Sequence, residues 1–369
     1  MNFDLNEDEE LLKALAERFV DDRYGLDRRR AYLASDHGFS RDNWQLLAEL
    51  GLVGAPFDPE DGGGGLDATA VKLVFEALGK GLVVEPLIEN IMVAGRLFAR
   101  TASGALREEW LGAVVEGRRR LALAHLEPGG RDLLPWVETL AIANGATALL
   151  TGEKSCVPAA GGCDGYIVTA RSAGTPTDGR GIGLFLVAAD APGLTLRSWR
   201  MADGSTAASL SLEAVAATPL DGGWEAVRAI APLASLARSA EAIGVMQRMF
   251  DETLGYLRTR EQFGAPLGSF QAIQHRMAAQ YAALEQGRAL VDLAIVSFGN
   301  DDFAAAVDGA RAFIADASLT LGHEMIQFHG GMGVSDELSI GHGHKRLMML
   351  SRWPESPGAT LDRIAGIAA

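Results

Sequence analysis

Apolar residues over the first 120 positions recur at helical spacing. Leu11, Leu12, Leu15 and Phe19 step by threes and fours behind Asn6, a good N-cap, and Glu9 stands three residues on as its capping-box partner. A second amphipathic run opens at Ser40 and carries Trp44, Leu47 and Leu50. Further helices are predicted over 67–78, 88–99 and 105–116. The pattern then changes. Short apolar runs at 121–126, 140–143, 166–170, 184–188, 194–196 and 209–212 are punctuated by Gly, Pro, Asn and Asp, which predicts a compact β-domain. Helical periodicity returns with Leu236, Ala240, Ile243, Gln247, Phe250, Leu254 and Leu257, and two more long helices are predicted over 269–298 and 302–323. The expected class is α+β, mainly α, in three domains: helical over 1–120, β over 121–220 and helical over 221–369.

Composition narrows the partners. The 369 residues carry 48 acids against 33 bases, a formal charge of −15, whereas a phosphate backbone demands a basic stripe; nucleic acid is not an expected partner. A phosphorylated small molecule needs only a few local arginines. Apolar runs such as 81–84 and 184–189 are too short to span a bilayer, and the acidic start shows no secretory signal. Cys156 and Cys163 alone cannot staple a chain of this length, which fits a reducing compartment. A cytoplasmic protein is expected.

Four stretches could carry chemistry. The glycine run at 61–65 lacks the Lys-Ser/Thr ending of a phosphate loop and follows no strand, so it reads as a helix–helix connector. His342 and His344, with His323 and His329 nearby, lack a carboxylate or cysteine spaced to complete a metal site, and no metal is expected. No Gly-x-Ser-x-Gly elbow and no Gly-x-Gly-x-x-Gly fingerprint occurs. The fourth stretch runs from Arg260 to Gln271. A long helix ends in Arg260, turns through Gly264 and Pro266, and restarts with Ser269 as N-cap. A guanidinium, a glycine turn, the N–H groups of a helix start and a carboxamide together suit a pyrophosphate. An ordinary helix–turn–helix fits the same residues equally well.

The string Arg-x-Gln-Phe-Gly-x-Pro-x-x-x-Phe-Gln at 260–271 resembles a signature of the acyl-CoA dehydrogenase family. Five more landmarks follow the family's order: the opening from Phe3 to Leu12, the stretch from Leu50 to Phe57 with its glycine run, the stretch from Leu123 to Gly129, Gly152-Glu153-Lys154, and the stretch from Gln327 to Gly333. The resemblance covers nearly the whole chain. It implies a helical bundle, a β-barrel-like middle domain and a C-terminal four-helix bundle, assembled as dimers or tetramers. FAD would lie in a cleft, acyl-CoA would lose hydrogens across Cα–Cβ, and an electron-transfer flavoprotein would take the electrons. A glutamate removes the α-proton in this family while the β-hydride passes to the flavin. A dry pocket lifts that carboxylate's pKa toward the working range.

Carried over position by position, the resemblance gives an uneven pattern. Arg260, Gln262, Phe263, Gln271, Gln327, Gly330 and Gly331 match the arm that reaches the ADP part of a neighbouring subunit's FAD. The residues that face the isoalloxazine within one subunit do not match. Leu126 stands for a Thr, Gly129-Gly130-Arg131-Asp132 for a longer Gly-x-Gly-Ser-Asp segment, and Cys156-Val157-Pro158 for Trp-x-Thr. The base is also displaced. One family position falls on Ala234; the other falls on Pro354, and Glu355 fits only after a one-residue slip. Glu355 reads either as the base or as a solvated loop carboxylate; the flanking prolines and the missing Tyr and Gly-Thr favour the second. The ending from Ile340 to Arg346 resembles small subunits of heteromeric bacterial acyl-CoA dehydrogenases, the pimeloyl-CoA dehydrogenase small subunit among them. That implies a homologous larger partner in an α2β2 assembly, with this chain completing the partner's FAD site. A self-sufficient homo-oligomer using Glu355 and a flavin-free scaffold subunit remain as alternatives.

Overall fold

The computed structural model describes residues 5–130 and 135–366. Phe3 and Asp4 of the opening motif, and Arg131 and Asp132 of the shortened glycine segment, lie outside them. Helix α1 (Glu7–Arg23) starts on the capping box formed by Asn6 and Glu9. It is followed by α2 (Leu26–Ala34), α3 (Arg41–Glu49), capped by Ser40, and α4 (Ala68–Gly81), capped by Asp67. The glycine run is a connector: Gly62 and Gly65 take positive φ, and a Cβ on Gly63 would stand 2.2 Å from the Phe57 carbonyl oxygen. A single regular helix is expected over 88–99, but Ile88–Gly95 is wound as a π-helix before α5 (Arg96–Thr101) and α6 (Gly104–Val115). The wide turn carries buried Asn90, which donates to the Leu121 carbonyl and accepts from Arg120.

Seven strands form the β-domain: β1 (Leu121–Ala124), β2 (Leu140–Asn144), β3 (Thr147–Pro158), β4 (Gly165–Arg171), β5 (Ile182–Ala188), β6 (Leu194–Arg200) and β7 (Thr206–Leu220). Neighbour pairing runs β4–β5–β7–β3–β2 and returns to β4 through Leu140 and Arg171, so the sheet closes into a small barrel. Strands β1 and β6 attach to β4 and β7. Leu150, Val157, Val168, Val187, Leu210 and Val215 fill its interior.

Helix α7 (Trp224–Thr259) follows, then a two-residue hairpin, β8 (Glu261–Gln262) with β9 (Ala265–Pro266), then α8 (Gln271–Val296), α9 (Phe303–His329), α10 (Ser339–Arg352) and α11 (Pro357–Ile364). Ser269 is not the N-cap of α8; that position is Phe270, and the Ser269 hydroxyl turns back to the Pro266 carbonyl. Helix α9 runs six residues past the expected end at 323 and brings Gln327 into its last turn. Two compact units emerge: residues 1–31, 67–83 and 235–369 in one, and 32–66 and 84–234 in the other. Among the described residues the first is helical apart from the β8–β9 hairpin. Within it α4 and α7 cross backbone to backbone, since a Cβ on Gly79 would stand 2.2 Å from the Glu241 carbonyl oxygen and one on Gly244 would stand 2.1 Å from that of Glu76. Helix α7 is long and apolar enough to cross a bilayer by length and composition, but 78% of its apolar window is buried, as in a core helix.

Candidate active-site elements

The arm residues come together at one end of the helical unit. Arg260 follows the last turn of α7, its backbone N–H bonded to the Tyr256 carbonyl, and its own carbonyl accepts from Leu267 to close the hairpin. Gln262 lies in β8 and Phe263 at the tip, with φ +59° and 90% of its surface exposed. Gln271 opens α8; Gln327 lies in the last turn of α9, and Gly330 and Gly331 form the turn beyond His329. Tyr256 stacks on His329 with centroids 4.4 Å apart, which sets the end of α7 beside the end of α9. Arg276, five residues past Gln271 on α8, pairs with Glu324 at 2.6 Å and lies 4.7 Å over the Phe328 ring. All seven predicted arm residues are exposed. Among the described residues none pairs with the Arg260 guanidinium or with the carboxamides of Gln262, Gln271 and Gln327. A guanidinium, three carboxamides and a glycine turn facing outward fit the phosphates and sugar of a dinucleotide.

The barrel presents a different chemistry. Lys154, with no exposed surface, donates to Glu127 Oε1 (2.6 Å), Thr169 Oγ1 (3.0 Å) and the His125 carbonyl (3.2 Å). Burial pulls Lys154 down to about 8, partly offset by the Glu127 charge. Glu127 also accepts from the Thr139 hydroxyl and from the backbone N–H groups of Glu138 and Thr139, pinning the approach to β2. The His125 ring stacks on Trp224 at 4.7 Å and meets Thr169 through Nδ1; burial, then the Lys154 charge, holds its pKa at about 3. Beyond Lys154 the β3–β7 register slips, and the bulge turns the Ser155 N–H onto the Leu126 carbonyl at 2.8 Å. Leu126 and Cys156 thus share one place on the rim, the place the resemblance gives to flavin contacts. The Leu126 side chain has no polar atom, and burial followed by the Glu89 charge raises the Cys156 thiol to about 11. Pro158 has neither hydroxyl nor N–H. These groups do not fit an isoalloxazine edge that asks for hydroxyl donors and a stacking indole.

Glu355 is not a solvated loop carboxylate. It is 6% exposed and accepts from Thr360 (2.8 Å) and from both terminal nitrogens of Arg363 (2.9 and 2.6 Å), with Arg311 Nε at 4.0 Å. Burial pushes its pKa up, but the Arg363 and Thr360 hydrogen bonds and the Arg363 and Arg311 charges outweigh that and hold it below the usual range. A carboxylate so engaged is a poor proton acceptor. At the other family position Ala234 is fully buried, and one turn on along α7 stands Arg238, also buried. Arg238 and Arg311 line one small cavity of about 10 Å³ with Ser239, Ser318 and Ser351. Sequence reading passes over this pair, because α7 and α9 periodicity marks both positions only as helical.

Comparison with known proteins agrees with the landmarks. The family described as acyl-CoA dehydrogenase, N-terminal domain, matches residues 6–118, and the one described as acyl-CoA dehydrogenase, C-terminal domain, matches 221–354. Acyl-CoA dehydrogenase FadE27 of Mycobacterium tuberculosis is 29% identical over 348 residues, 91% of this chain and 90% of that protein. The structure of a variant of the Tcur3481-Tcur3483 steroid ACAD superposes with TM-score 0.88 at 30% identity, covering 98% of this chain and 97% of the other. The ChsE4-ChsE5 complex from Mycobacterium tuberculosis contains a chain of TM-score 0.89 at 26% identity, with coverage of 99% and 98%. The chain belongs to the acyl-CoA dehydrogenase family, FAD-dependent oxidoreductases that act on the CH–CH bond of acyl-CoA thioesters.

Proposed function

We propose that this chain is a subunit of a heteromeric acyl-CoA dehydrogenase and completes the FAD site of an unlike, homologous partner. The observation that carries this reading is the contrast between the two halves of the family's cofactor site. Arg260, Gln262, Gln271 and Gln327 are exposed and, among the described residues, have no side-chain partner, whereas Leu126, Cys156 and Pro158 lack the groups that would hold a flavin ring in this chain. Arg260 would neutralise pyrophosphate charge, and the Gly330–Gly331 turn would let backbone approach it closely. FAD supplies the hydride acceptor of the reaction.

The acid–base step belongs to the partner in this reading, because Ala234 cannot take a proton and Glu355 is committed to Arg363 and Thr360. Glu355 is then a clamp that fixes the α10–α11 connection onto α9. The substrate class to try first is a bulky acyl-CoA, since a steroid ACAD and the two-component ChsE4-ChsE5 assembly are among the similar structures. An electron-transfer flavoprotein is the proposed acceptor.

The test is expression of this chain alone and with its homologous partner. The expected result is little FAD on the chain alone and stoichiometric FAD on the pair, lost when Arg260 is replaced by Ala. Stoichiometric FAD and turnover from this chain alone would sink the reading. An assembly that keeps its FAD with Arg260→Ala would reduce the chain to a scaffold.

A further inference from the structure

We infer that Tyr256 and His329, with Arg276 and Phe328, are positioning residues that hold the separate pieces of the flavin arm in register, an inference that rests on the arm reading above. The arm is built from two stretches far apart in the chain: the continuous run from Arg260 through the hairpin to Gln271, and the turn after Gln327. Within the first, Gln274 donates to the Gly268 carbonyl and the Phe270 N–H to the Leu267 carbonyl. No hydrogen bond joins the two stretches to each other among the described residues. The first is tied instead to the C-terminal end of α9, from which the second continues. The Tyr256 ring lies on the buried His329 ring at 4.4 Å and 22°, and the Arg260 N–H hangs from the Tyr256 carbonyl one turn on. His329 Nδ1 meets the Met325 carbonyl at 2.9 Å, so its ring is fixed to its own helix and cannot swing away from Tyr256. Gly330 follows His329 directly, and a Cβ on Gly333 would stand 3.1 Å from the His329 Cβ, so the glycine turn folds back over the same residue. On the other side Arg276 grips Glu324 and covers Phe328, the residue next to Gln327.

A dinucleotide contacted by both stretches can be bound tightly only if their spacing is set beforehand, because ordering them on binding costs affinity. The offset stack and the cation–π contact are rigid and short-ranged, and both centre on one helical turn. Tyr256 and His329 are 73 residues apart, and neither the stack nor the ion pair of Arg276 contributes a group to the ligand itself.

The experiment measures the FAD dissociation constant of the assembled enzyme, well below its melting temperature, for Tyr256→Leu, Tyr256→Phe, Gln327→Ala and Arg260→Ala. Tyr256→Leu is expected to weaken FAD about 3- to 10-fold, in keeping with the worth of an aromatic pair, while kcat at saturating FAD is retained. Tyr256→Phe keeps the ring and should match the wild type. The signature of positioning is coupling: Gln327→Ala should cost less in the Tyr256→Leu background than alone. Strictly additive effects, or an unchanged constant in Tyr256→Leu while Arg260→Ala weakens binding, would overturn this inference and leave the arm reading intact. An unchanged constant in Arg260→Ala overturns both. Should Tyr256→Leu fail to fold, Arg276→Met, at an exposed position, carries the same comparison.

Discussion

Replacing Glu355 by Gln separates a structural clamp from a catalytic base, because the two roles predict opposite outcomes for stability and turnover. The carboxylate receives three side-chain hydrogen bonds and sits 4.0 Å from the Arg311 guanidinium, which is itself only 4% exposed. Breaking a buried ion pair costs about 3–5 kcal/mol. Arg363 is close to half exposed, so its share is screened, and the Arg311 separation is long. A loss of roughly 2 kcal/mol is therefore expected, read as a lower urea midpoint at unchanged slope. Arg311 would be left with the Trp353 and Glu355 carbonyls and the Thr360 hydroxyl. The pH dependence has a definite sign. A carboxylate held below its ordinary range contributes stability that is present above that range and lost as pH falls through the folded-state pKa, so the Gln variant should lack this part of the acid limb. Turnover of the assembled enzyme should stay within a few-fold of wild type. Removing a general base costs about 10²–10⁴ in rate. A fall of that size with an unchanged urea midpoint would refute the clamp and restore Glu355 as the base.

Two further outcomes follow from the packing. His125, held at about 3 by burial and then Lys154, refuses a proton that the unfolded chain accepts below its ordinary 6.5, so its stability contribution is present above pH 6.5 and lost as pH falls toward 3. Between pH 6.5 and 5 this is worth about 2 kcal/mol, and His125→Phe should show a correspondingly flatter urea midpoint between pH 7.5 and 5; parallel curves for the two proteins would contradict the assignment. Gly244→Ala places a methyl against the Glu76 carbonyl and the Lys80 nitrogen of α4 and should cost about 3 kcal/mol, seen as a lowered melting temperature, whereas an unchanged one would mean the α4–α7 crossing gives way easily.

Local chemistry made much of this fold readable in advance. The capping box at Asn6 and Glu9, and the caps at Ser40 and Asp67, sit where side-chain hydrogen bonding alone would put them. Strand β3 was harder to see, because Gly152, Glu153, Lys154 and Ser155 interrupt its apolar run. Burial of the Lys154–Glu127 pair overrides that polarity, and no local rule announces it. Ser269 looked like an N-cap, but its hydroxyl has a nearer acceptor at Pro266. The arm residues could be picked out because they fall in two short motifs, at 260–271 and from Gln327. The stack beneath them could not, since Tyr256 and His329 lie on helices whose pairing depends on the whole bundle. Glu355 was read with its neighbours in sequence, two prolines and a serine. Its partners in space, Arg311 and Arg363, lie on α9 and α11.

The tip of the arm bears on why such a chain would be kept. Phe263 holds a left-handed backbone, a conformation that costs a bulky residue of order 1–3 kcal/mol, and leaves nine-tenths of its surface in water. Among the described residues the ring contact that arrangement gains is an edge-on one with Phe270 at 6.3 Å. The hairpin nevertheless enforces it, through the Glu261–Pro266 and Gln262–Ala265 pairing and the Leu267 N–H on the Arg260 carbonyl. Strain maintained on an exposed aromatic makes sense if the ring is buried by something outside the chain. The barrel rim shows the reverse economy: its polar groups are spent on one another around Lys154, and Leu126 and Cys156 offer a ligand nothing. If the arm served only this chain's own flavin, both features would be losses. If it serves a partner's, the strain lies at the point of contact, and the silent rim is a site that this subunit no longer needs.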